Sequence, residues 1–163
     1  MARLDLPPGD GAEIERVWAL RPEMGKAVQD LSIAVYANSI LSPRVREAAR
    51  MRVAEINDCL VCQRWRVPEL ADHGVTEELY AHVSEYATHE EYSEAERLAI
   101  EYAERFALNH KSIDDEFFDR LRTQFTDPEI LDLSICVGNW VAFGRVTMLL
   151  DLDEACGVRH RTQ

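Results

Sequence analysis

No stretch of this 163-residue chain approaches 18 consecutive apolar residues, so the sequence offers no run that reads as a membrane span. Its opening, MARLDLPPGD, lacks the apolar core of a secretory leader; no signal peptide is expected, and a cytoplasmic location is. Basic residues are outnumbered, 18 Lys and Arg against 30 Asp and Glu, for a net charge of −12. Nucleic-acid backbones and anionic membrane surfaces both demand a basic patch, so neither is expected as a partner. No segment alternates apolar and polar residues convincingly, which argues against strands. The four cysteines, Cys59, Cys62, Cys136 and Cys156, do not form a disulfide framework in a chain of this size.

What is present has helical period throughout. Apolar residues make up 47% and charged residues 29%, an ordinary globular balance that suits one domain over residues 1–163. Residues 1–11 read as an extended lead-in because of Pro7-Pro8 and Gly9-Asp10-Gly11, and residues 157–163 as a polar tail. Between them the pattern predicts helices at Ala12 to Leu20, Pro22 to about Asn38, Pro43 to about Ile56, Cys59 to about Asp72 with a kink or restart at Pro68, Thr76 to Tyr86, Ser93 to about Asn109, Ile113 to Phe125, and Asp127 to about Leu150. Ser42-Pro43 is a cap followed by a first-turn proline, and Ser93 with Glu96 is a capping box. The helix after Pro22 has too broad an apolar face for a surface stripe and is expected to be largely buried. Gly138 or Gly144 is a possible soft point in the last helix. The expected architecture is all-α, with seven or eight helices. Ser42-Pro43-x-Val45-x-Glu47 and Asp127-Pro128-x-Ile130-x-Asp132 share a layout that fits either a duplicated helical unit or chance.

The chemistry concentrates between Ser42 and Arg66, a stretch carrying six arginines in an acidic protein. Asn57-Asp58 ends one helix and is expected to cap the next, which opens with Cys59-Leu60-Val61-Cys62. Thiols three residues apart at a helix start can close a disulfide, and the unpaired N–H groups there stabilise a thiolate. Asp58 opposes this charge; Arg64 and Arg66 favour it. Glu47, taken alone, reads as an exposed helix residue pairing with Arg44 or Arg50. Should the Cys59 helix fold back on its own, Glu47 faces the thiols and can accept and donate a proton. Cys136 lies in an apolar stretch and reads as a buried small hydrophobe. Trp65 and Trp140 read as core or subunit-interface anchors, or as the lining of an apolar pocket. His73, His82, His89 and His110 carry little signal. Cys156 and His160 have a usable ligand spacing and with Cys59 and Cys62 would make a Cys3His zinc site, although Gly157 interrupts the geometry.

Pro-x-x-Arg-Glu, an apolar helix, and Cys-x-x-Cys twelve residues after the Glu resemble the carboxymuconolactone decarboxylase and alkylhydroperoxidase D family. The SEAERLAIEYAE helix and FTDPEILDLSICVGNWVAFGRVTMLLDL extend the resemblance over most of residues 20–155. It implies a helical fold that assembles into trimers or hexamers. In the peroxidase branch a Glu, two Cys and a His reduce hydroperoxides; carried over, these are Glu47, Cys59 and Cys62, while Arg66 stands where the His would be. Arginine does not titrate near neutral pH, so it can assist electrostatically but relay no proton. Retention of both Cys argues against the decarboxylase branch.

The expected activity is thus thiol-dependent hydroperoxide reduction, with Cys62 attacking, Cys59 resolving, Glu47 shuttling the proton and Arg66 assisting. No bound cofactor is expected; the partners are a small hydroperoxide, an external dithiol or protein reductant, and further copies of the chain. The alternatives are a helical oligomeric module with a structural or redox-sensing Cys pair, and a decarboxylase.

Overall fold

The computed structural model describes residues 2–152. Among them lie eight α-helices and no strand: α1 Glu13–Trp18, α2 Pro22–Ala37, α3 Pro43–Ile56, α4 Leu60–Arg64, α5 Glu77–Ala81, α6 Glu94–Asn109, α7 Asp115–Arg122 and α8 Asp127–Leu149. Short 3-10 segments cover Pro68–His73, Val83–Glu85 and His110–Ser112. The chain is all-α, as its periodicity implies.

α3 is the centre of the fold, buried on nearly every side. Ser42 caps it by accepting from the Val45 N–H. One face, Val45, Ala49 and Val53, joins Leu98 and Tyr102 of α6 and Leu133 and Val137 of α8 in the main core. The opposite face, Ala48, Met51 and Ala54, packs on Leu79, Tyr80, Val83 and Tyr92 in a second core. A helix held between two cores cannot expose its charges, which is why Arg46, Glu47 and Arg50 are buried and must be paired. Arg44, at the edge, instead binds Glu96 on α6 at 2.6 Å and Glu91 at 3.0 Å.

The segment from Cys59 to Asp72 is two pieces, with the expected restart at Pro68, which lacks an N–H and forces Val67 into an extended conformation. Several other boundaries differ from the sequence pattern for identifiable reasons. Asp58 does not cap α4: it sits in the left-handed region at φ 53°, and Cys59 takes the N-cap position itself. The segment expected as Thr76 to Tyr86 breaks at His82. Asp114 caps α7 by accepting from the Phe117 N–H, so that helix starts two residues later than expected. α8 runs unbroken through Gly144, whose missing side chain lets Asn57 approach: a Cβ there would lie 2.6 Å from Asn57 Nδ2. Both first-turn prolines of the sequence echo open long helices, and the matched acids both turn to protein partners: Glu47 in the site described below, and Asp132 on Ser39 and the Ile40 N–H. The expected burial of α2 is not found within one chain. Only Gly25 and Val35 are buried, while Leu31 and Ile33 are 38% and 64% exposed.

α8 is long and apolar enough, by length and composition alone, to cross a membrane, which no contiguous apolar run had suggested. Its seam of Leu133, Val137 and Val141 belongs to the main core, which accounts for that part of its apolarity. Leu131 and Ile135, on the side facing α2, remain exposed. The lead-in is tied down where Arg3 N–H binds the Leu150 carbonyl at 2.9 Å and Arg16 Nε binds the Pro7 carbonyl at 2.8 Å.

Candidate functional site

Cys59 and Cys62 are joined in a disulfide with Cα atoms 5.3 Å apart. The turn between α3 and α4 makes this local: Asn57 ends α3, the left-handed Asp58 reverses the chain, and α4 begins at once. Cys59 is 1% exposed, and its sulfur accepts the Cys62 N–H at 3.2 Å. Cys62 is half-buried and forms part of the wall of a cavity of about 440 Å³. The two sulfurs therefore differ in access: Cys62 meets the cavity, Cys59 lies behind it.

Glu47 is fully buried, so the exposed surface position expected of it alone is overturned. The helix carrying the cysteines packs against α3, and the burial of Glu47 follows from the second core, whose Tyr80 reaches it. Glu47 Oε2 accepts from Arg50 Nε at 2.7 Å and from the Tyr80 hydroxyl at 3.0 Å, while Arg46 Nε lies 3.8 Å from Oε1. Arg50 then reaches the thiol segment: Nη1 donates to the Cys62 carbonyl at 2.6 Å and Nη2 to the Trp65 carbonyl at 3.4 Å. One guanidinium thus couples the buried carboxylate to the backbone that carries the cavity-facing cysteine. The three buried charges Arg46, Glu47 and Arg50 sum to +1, a field that favours a thiolate nearby.

Arg66 Nη1 donates to the Gln63 and Trp65 carbonyls, at 2.6 and 2.9 Å, beside the cysteines, and makes no hydrogen bond to Glu47 itself. It grips Glu77 through Nε at 2.7 Å and Nη2 at 2.9 Å, and its guanidinium carbon lies 4.0 Å from the centre of the Tyr80 ring. The Glu77 hydrogen bond raises the Arg66 pKa further, and the same contact lowers that of Glu77. Burial and the neighbouring Glu47 charge push Tyr80 up to about 12, so its hydroxyl stays protonated and donating throughout the physiological range. Arg66 bears on the site through Tyr80, which touches Glu47.

Tyr80, Tyr36 and Asn139 were not singled out by the sequence pattern, whereas Arg50 was expected only as a pairing partner of Glu47, which it is. Arg50 had a visible signal, its i+3 spacing from Glu47. Asn139 had another, a lone amide inside the apolar run from Leu133 to Val141. Trp65 and Trp140 line the cavity, the pocket alternative for these residues. Cys136 is buried, and burial with the adjacent Asp132 pushes its thiol up to about 12, as suits an inert core residue. Glu78, His82 and His89 bring ligand atoms within 4.8 Å of one another, but His89 Nδ1 is occupied by the Glu91 N–H and the group does not line the cavity. Cys156 and His160, and with them the zinc alternative, lie outside the described residues.

The carboxymuconolactone decarboxylase family profile matches residues 22–105. The chain belongs to that family. The uncharacterized protein YdfG of Bacillus subtilis strain 168 is 23% identical over 134 residues, covering 82% of this chain and 90% of YdfG. Among solved structures, a protein of unknown function from Agrobacterium tumefaciens, proposed to be the antioxidant defence protein AhpD, superposes with a TM-score of 0.72 at 21% identity over the full length of both chains. The debrominase Bmp8 superposes with a TM-score of 0.73 at 18% identity, over 88% of this chain and 83% of its own. At such identities the structural likeness speaks for the fold, which is that of AhpD-like proteins.

Proposed function

We propose that this family member is a thiol-dependent hydroperoxide reductase. The observation that carries the reading is the unequal placement of the two sulfurs, Cys62 in a cavity wall and Cys59 sealed behind it, with Arg50 tying the Cys62 backbone to buried Glu47. In the reduced protein the Cys62 thiolate attacks the distal oxygen of a hydroperoxide. The O–O bond breaks, the alcohol leaves with a proton supplied by way of Glu47, and Cys62 becomes a sulfenic acid. The Cys59 thiol then attacks the Cys62 sulfur, releasing water and forming the disulfide. An external dithiol, entering at accessible Cys62, displaces Cys59 and restores both thiols as it is itself oxidised. During that exchange the Cys62 N–H supports the leaving Cys59 thiolate. Arg66 acts one step away, by covering Tyr80 and holding its hydroxyl on Glu47.

A reduced sample mixed with one equivalent of hydroperoxide tests this. Loss of two mass units within seconds, followed by repeated turnover when a dithiol is supplied, is the expected result; one oxidation without turnover indicates a redox sensor, and no oxidation a structural pair. The cavity beside Cys62 also admits a second reading, reductive removal of halide from an aromatic ring, prompted by the likeness to Bmp8, which is named a debrominase. There the two thiols would supply the electrons, ending as the disulfide with halide released. Halide release from a bromoarene without consumption of hydroperoxide would favour it.

The exposed apolar residues of α2 and α8, including Leu31, Leu131 and Ile135, border a single groove. A contiguous apolar face of this kind is expected to be covered, and the reading here is self-association into a homo-oligomer, a trimer or hexamer.

A further inference from the structure

The thiol chemistry uses one wall of the cavity and leaves the α8 wall without a task. There Asn139 and Trp140 are 7% and 9% exposed. Asn139 Oδ1 and the Trp140 indole nitrogen have no hydrogen-bond partner, and neither end of the Asn139 amide is bonded within the described residues. The indole nitrogen lies near enough to the Tyr36 hydroxyl to lower that phenol's pKa, but forms no hydrogen bond with it. Asn57 binds the Trp140 backbone carbonyl, so it satisfies neither side chain. Leaving a buried polar atom unpaired is costly, and a leucine at position 139 would suit an apolar wall better.

We infer that Asn139 and Trp140 form the recognition end of the cavity and select a neutral, ring-bearing organic substrate through its hydrogen-bonding group, a carboxamide, carbonyl or hydroxyl. This rests on the thiol reading only for the statement that the reacting end lies at Cys62. The rest of the wall agrees. All three tryptophans of the chain, Trp18, Trp65 and Trp140, line the cavity with Tyr36 and Phe143, flat surfaces on which a ring packs. A cavity of about 440 Å³ falls within the range of ligand pockets, roughly 300–1,000 Å³, and far exceeds what hydrogen peroxide fills. The wall's guanidinium, Arg50, is committed to Glu47, Cys62 and Trp65, and Glu15 also lines the cavity, so among the described residues no free cation is offered to a carboxylate.

Because every tryptophan lines the cavity, intrinsic fluorescence reports its occupancy. Titrating the disulfide form with benzamide, benzoate and ethylbenzene compares a neutral polar ring, its charged counterpart and an apolar one. Benzamide is expected to bind about tenfold more tightly than either, the size of one well-made buried hydrogen bond. Asn139→Leu is expected to remove the preference for benzamide over ethylbenzene, and Asn139→Ala, which adds no bulk, to do the same. Equal binding of the three probes by the wild-type protein, tightest binding of benzoate, or a preference that survives both substitutions overturns the assignment. Peroxide consumption by the reduced protein is measured separately. Binding without turnover would defeat the peroxidase reading and leave the ligand class standing; turnover without the benzamide preference would do the reverse.

Discussion

Arg50 Nη1 donates to the Cys62 carbonyl at 2.6 Å while Nε of the same side chain holds Glu47 at 2.7 Å. The thiol segment and the buried carboxylate are therefore positioned by one residue, itself only 3% exposed. Removing it leaves buried Glu47 with only the Tyr80 hydroxyl and the more distant Arg46. Arg50→Ala is expected to destabilise the fold by about 3–5 kcal/mol, as for other broken buried ion pairs, measurable by urea denaturation. Arg50→Lys keeps the charge but cannot span both contacts, and peroxide-driven disulfide formation should slow even where the protein folds.

The unequal exposure of the two sulfurs separates their roles. Cys62→Ser is expected to abolish oxidation by hydroperoxide. Cys59→Ser should still react once, accumulating a sulfenic acid on Cys62 that a dimedone adduct detects by mass spectrometry. Adduct on Cys59 in the Cys62→Ser variant would reverse the assignment.

Glu47→Gln retains shape and removes the proton acceptor. If the carboxylate relays the proton to the leaving alcohol, the rate falls by roughly 10²-fold or more, the usual worth of general acid–base assistance, and the pH dependence of the oxidation step changes. Stopped-flow oxidation between pH 5 and 9 checks this; a parallel, undiminished profile would remove Glu47 from the mechanism.

Every one of the five tyrosines has its pKa raised, chiefly by burial, with Tyr36 and Tyr80 reaching about 12. A phenol protonated in the fold but ionised in the unfolded chain makes the unfolded state bind fewer protons above pH 10. Its contribution to stability is thus intact below pH 10 and lost as pH climbs towards 12. Absorbance at 295 nm should stay flat past pH 10 and then rise together with the loss of helical circular dichroism. A gradual five-tyrosine titration around pH 10 in the folded protein would contradict the burial.

The apolar groove between α2 and α8 predicts the assembly state. Leu131→Glu or Ile135→Glu, both exposed in the single chain, should shift the particle to a smaller mass in multi-angle light scattering while leaving helicity intact. A wild-type monomer would overturn the self-association reading.

The sequence by itself determined the helices and the position of the thiols. Ser42-Pro43 and the Ser93–Glu96 box are local signals, set by the unpaired N–H groups of a helix start and readable without any partner. The closure of Cys59 on Cys62 is equally local, since one turn of chain brings the two together. What the tertiary structure alone decided is the surrounding of those sulfurs. Glu47 looked like a surface residue because burial depends on the second core packing on α3 from the other side, and Tyr80 lies 33 residues away in sequence. Arg66 has the charge for a thiol partner, yet it is Glu77 and the Tyr80 ring that engage it. Asn139 and Trp140 join the site from 77 and 78 positions beyond Cys62 because α8 crosses α3. Helix starts depend on neighbours along the chain, whereas a pocket depends on which faces meet across it, and only packing chooses those.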